Sequence, residues 1–175
     1  MPTYLRVILV AAHLPLYDRS TLREHFMLGD SEYQPDILDD FRTHEGELSL
    51  FEVDLEQQPV ELIVCAVAAH SNRNQERGYI LVDGDFFSAL GLPSPQKTMG
   101  TTASLKINET HFNIQLGTTQ RRLELAHAIV DNLDPVPIPT ADMKKYLVEF
   151  YHAGELKSMN KNLRVKLGLD SDESE

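Results

Sequence analysis

Two histidines occur in the same setting. Val10-Ala11-Ala12-His13 and Val67-Ala68-Ala69-His70 are identical strings, and each closes an apolar run ahead of a loop. If the two runs were parallel neighbouring strands, His13 and His70 would meet at one sheet edge, where sites often form. There they could serve as acid and base, or as two metal ligands. The chemistry lacks a third, orienting group. The hydroxyl residue that paired-histidine phosphoesterases carry two positions after each histidine is also missing, since Leu14-Pro15 and Ser71-Asn72 follow instead. The competing reading is chance likeness of two alanine-rich strand ends.

A second group is Asp83-Gly84-Asp85, directly after a strand-like run. Closely spaced carboxylates at a strand end can hold Mg²⁺, but one aspartate capping a helix needs no further ligand, and capping is the simpler account. The loop Ser71 to Gly78 carries Arg73 and Arg77 among amides. These guanidinium groups suit a carboxylate or phosphate, against the plainer reading of a solvated hairpin tip. Gly100-Thr101-Thr102 and Gly117-Thr118-Thr119 match no phosphate-loop or dinucleotide pattern and read as a turn plus a cap. The one cysteine, Cys65, lies in an apolar run, where burial makes a thiol inert. No Cys/His spacing suits zinc, and no cofactor is expected.

Charge narrows the function class. The 175 residues carry a formal net charge of −11, which argues against general binding to a nucleic-acid backbone or an anionic membrane. The charge is uneven. Residues 18–61 hold thirteen acidic and three basic side chains, a balance of −10. Residues 144–166 hold six basic and two acidic ones, a balance of +4. The basic residues there are Lys144, Lys145, Lys157, Lys161, Arg164 and Lys166, interleaved with Tyr146, Phe150 and Tyr151. Aromatic anchors beside cations suit a partner surface, unless the aromatics pack on the protein's own core.

The elements that position these residues follow from pattern. A hydrophobic fraction of 42% supports a real core, and no apolar run reaches membrane-spanning length. Val60–His70 is the most apolar run; it predicts a buried strand near the middle of a sheet, joined as a hairpin to a strand at Tyr79–Val82. Leu5–Ala12 and Leu48–Asp54 predict two more strands. Leu105/Ile107 and Phe112/Ile114/Leu116 alternate with polar residues and predict the clearest hairpin, turning at Asn108–His111. Helices are expected from Asp18 or Ser20 to Met27, after Pro35, at Phe86–Leu90, after Thr118 or Thr119, and after Thr140.

The resulting class is α+β: a mixed or mainly antiparallel sheet of about five or six strands flanked by helices, with a helical C-terminal arm. The expected organisation is a core domain over 1–133, a proline-rich linker over 134–139, the arm over 140–169 and a disordered acidic tail over 170–175. The expected function is non-enzymatic protein binding in the cytoplasm, as an adaptor, inhibitor or immunity factor, or assembly accessory. A protein partner or self-association through charge-complementary surfaces is expected, with no direct nucleic-acid binding and no membrane insertion. The alternatives are a small hydrolase or phosphoesterase using the His/Asp groups, and an acidic nucleic-acid mimic.

Overall fold

Thr3–Ile8 alternates its side chains across two apolar layers, and so forms a strand, β1, that can sit only in the middle of a covered sheet. The computed structural model describes residues 2–8, 46–70 and 76–170. β1 pairs antiparallel with β2 (Glu47–Val53) on one side and β3 (Arg77–Asp83) on the other. β5 (His111–Gln115) pairs with β2, and β4 (Gln96–Lys97) pairs with β5. β6 (Val136–Ile138) pairs with β3. Among the described residues the sheet therefore has six strands in the order β4-β5-β2-β1-β3-β6, with every pair antiparallel. With its flanking helices it is an α+β arrangement.

Val60–His70 is not a strand but a helix, α1. Three features favour this. Pro59 accepts the first helical N–H, from Leu62, at 3.1 Å. Ala66, Ala68 and Ala69 carry the highest helix propensity of any residue. The run is also eleven residues long, twice a usual strand. A helix that is apolar all round needs cover on every side. The sheet supplies one side through Leu5, Val7, Phe51 and Val53, and the C-terminal helices supply the other. α1 joins β2 to β3, which run parallel to each other with β1 between them. So β3 is not the hairpin partner of residues 60–70.

The hairpin over residues 105–116 is also corrected. Leu105–Asn108 is a single helical turn, α3, and only His111–Gln115 is a strand. In a strand Leu105 and Ile107 would share a face, but in a helical turn they point apart. Leu105 is 73% exposed and Ile107 is fully buried.

On the opposite face of the sheet lie α2 (Gly84–Ala89) and α4 (Thr119–Asn132). Phe87, Leu125, Ala126 and Ile129 close over Tyr4, Ile8, Leu50, Ile80 and Ile114. Thr118 caps α4 by accepting the Arg121 N–H.

The proline-rich stretch is extended, and three of its residues form edge strand β6. Pro135, Pro137 and Pro139 have no N–H, so β6 can donate to β3 only from Val136 and Ile138. Its outer edge then offers no donors to another strand. Thr140 opens α5 (Thr140–His152) without capping it; its Oγ1 accepts the Glu76 N–H at 2.9 Å. Gly154, at φ 77, turns the chain after α5, and α6 (Lys161–Lys166) follows. Met143, Leu147, Leu156, Met159 and Leu163 are buried against α1 and the sheet. The helices expected between Asp18 and Phe41 lie outside the described residues.

Candidate functional site

The arm presents a basic surface because its apolar side is occupied. Five side chains, from Met143 to Leu163, enter the core, and Lys144, Lys145, Lys157, Lys161 and Lys166 are left exposed. Burial of each such apolar side chain contributes about 1.5–3 kcal/mol, so the arm is held in one orientation. Tyr146 and Phe150 stack with ring centroids 6.2 Å apart, half-buried on the same core, with Tyr151 beside them. These aromatics serve the chain's own packing first. Arg164 is tied to Asp170 by a 3.0 Å ion pair, and Lys145 reaches Glu149 at 4.0 Å. Among the described residues, no carboxylate stands at ion-pair distance from Lys144, Lys157, Lys161 or Lys166.

A surface of opposite sign lies where β2 ends. Pro2, Thr3, Glu52, Val53, Asp54, Leu55, Glu56, Gln58 and Thr110 line an open cleft of about 810 Å³. The turn that follows β2 shapes it: Asp54 accepts the Gln57 and Gln58 N–H groups through its carbonyl and the Glu56 N–H through its carboxylate. Glu52, Asp54 and Glu56 thus all line the cleft, together with exposed Leu55. The spacing was visible in the sequence, but nothing there showed that a cleft accompanies it.

The other expected groups are scattered. His70 ends α1 and is exposed, while His13 lies outside the described residues. Asp83 stands at the N-cap position of α2 without a side-chain capping bond, and Asp85 lies in its first turn. Arg73 lies outside the described residues. Arg77 is not a loop cation: it opens β3, is 1% exposed, and donates through Nη1 to the Glu76 carbonyl at 3.3 Å. Among the described residues, no three His, Cys, Asp or Glu side chains gather as a metal site requires. Among the same residues, no helix is long and apolar enough to cross a membrane. Cys65 is buried in α1, and desolvation, with Glu61 nearby, pushes its thiol pKa far up, which makes it a poor nucleophile.

His111 was not singled out by the sequence. It opens β5, is 8% exposed, and its Nδ1 is hydrogen-bonded to Thr98 Oγ1 at 2.7 Å. Its ring meets Phe51 edge-on, with centroids 5.2 Å apart. Burial lowers its pKa below the usual histidine value; nearby Arg6 adds to this and Glu47 opposes it. No protein-family model matches this chain, and neither a curated protein nor a solved structure matches it.

Proposed function

We propose that this protein works by binding another protein, as an adaptor, inhibitor or assembly accessory, through charge-complementary surfaces. The observation that carries this reading is the docked arm. Its apolar side is buried while four lysines stand exposed and without carboxylate partners among the described residues. The partner it suits is an acidic protein surface, including the acidic residues of a second copy. Opposite charges steer encounter and fix register more than they add affinity. A reducing compartment, the cytoplasm, suits the one buried thiol.

The test is native mass at low and at high salt, on the wild type and on Lys157→Glu/Lys161→Glu/Lys166→Glu. The three lysines are exposed, so charge reversal should leave the thermal midpoint nearly unchanged. A complex or oligomer present at low salt should dissociate in the variant and in high salt. A complex that survives both changes would sink the reading.

A further inference from the structure

The loop between β4 and β5 is stitched at both ends. At one end the Thr98 N–H donates to the His111 carbonyl at 3.0 Å, alongside the 2.7 Å hydrogen bond between Thr98 Oγ1 and His111 Nδ1. Gly100 lies so close that a Cβ there would stand 3.0 Å from His111 Cβ. The Gly100 N–H donates to the Asn108 carbonyl at 2.9 Å, and the Thr102 N–H to Asn108 Oδ1 at 2.6 Å.

The other end holds the arm. The Ala103 N–H donates to the Ala66 carbonyl of α1 at 3.0 Å. The Ala103 carbonyl accepts the Ser158 N–H at 3.2 Å, in the turn between α5 and α6. Two residues later the Asn160 N–H donates to the Ala69 carbonyl of α1 at 3.0 Å. Small side chains at Ala66, Ala69 and Ala103 allow these backbones to approach, and all three are buried. A continuous path of hydrogen bonds and one short loop therefore joins the His111 ring to the base of α6.

We propose that His111 is a pH-operated clasp on the 98–104 loop, which holds the turn that seats the basic arm. The neutral ring fits the site and keeps Thr98 and Gly100 in place. A protonated ring would put a charge among Phe51, Thr98 and Gly100, with Arg6 of β1 and Glu47 of β2 as the nearby charged groups. The lowered pKa of His111 agrees with this direction. Loosening at Thr98 then passes through Ala103 to Ser158. The clasp changes partner binding only if the arm is the binding surface, so that consequence rests on the function proposed above.

Amide hydrogen exchange tests the clasp without a partner. Rates are measured for residues 98–104 and 158–160 at neutral and at mildly acid pH, after correction for intrinsic exchange. The Ala103, Ser158 and Asn160 amides should exchange roughly fivefold faster or more in acid, while central β1 amides stay protected. In His111→Gln, which keeps a hydrogen-bonding side chain but does not titrate, the step should vanish. In Thr98→Val exchange should be fast at both pH values. A wild type without the step, or a step that persists in His111→Gln, overturns the clasp. Either result leaves the salt and charge-reversal test of the arm untouched.

Discussion

The two sides of the sheet are covered by different plans. On one side α4 and α2 lie directly on the strands, each with an outer face in water. On the other side α1 lies on the strands, and α5, α6 and the turn between them lie on α1. α4 is amphipathic, since its outer positions Gln120, Arg121, Glu124 and His127 are exposed. α1 is apolar nearly throughout, because only Glu61 and His70 are not hydrophobic. A helix covered once needs a polar side, and a helix covered twice cannot have one. The C-terminal arm is thus a condition for α1 rather than an ornament on it.

Ending the chain at Pro139 should have the largest effect. That removes Met143, Leu147, Leu156, Met159 and Leu163 and exposes the outer side of α1. The truncated chain should lose its cooperative urea transition and aggregate. A sharp transition in the truncated chain would mean that α1 tolerates water.

A milder version compares Leu147→Ala in the arm with Leu125→Ala in α4, both fully buried. Each should cost about 2–5 kcal/mol in denaturant unfolding, with Leu147→Ala at the upper end. A cavity beside α4 can relax toward solvent, whereas one over α1 is enclosed between two layers. Equal costs would remove the distinction.

The smallest effect is that of pH. His111 has its folded pKa below the unfolded value of 6.5. The unfolded state therefore binds the proton more readily, and the associated stability is fully present above about pH 6.5. It is lost as pH falls from there through the folded pKa. Unfolding midpoints taken across this range should drop in the wild type by more than in His111→Gln. Identical slopes would show that His111 carries no such linkage.

The contrast also marks what could be read from residues alone. β2 was legible from the near-alternation of Leu48, Leu50 and Val53 with polar residues, and β3 from the aromatic and β-branched residues Tyr79, Ile80 and Val82, each run bounded by turn residues. α5 was legible because Met143, Tyr146, Leu147 and Phe150 fall on one face with lysines opposite. Residues 60–70 were not, because an element buried on all sides has no hydrophobic period to reveal its type. Leu105 and Ile107 misled for a related reason: two apolar residues two apart suggest one strand face, although one of them is exposed. The carboxylates of the cleft were visible as Glu52, Asp54 and Glu56, but not their convergence with Pro2 and Thr110, which comes from three separate parts of the chain. His111 gave no signal at all, since its partners at Thr98 and Phe51 are set by strand pairing.

Local features were legible in the residues alone: the α+β class, the prolines that blunt the β6 edge, the amphipathic α5 and the separation of acidic from basic residues. These depend on propensity, missing N–H groups and side-chain charge, which act over a few residues. Tertiary structure decided that residues 60–70 are a helix, that the arm is their outer cover, and that His111 holds a loop tied to that arm. Each of these depends on apolar surface supplied from elsewhere in the chain. A buried segment takes the form in which its backbone is satisfied and its neighbours close around it.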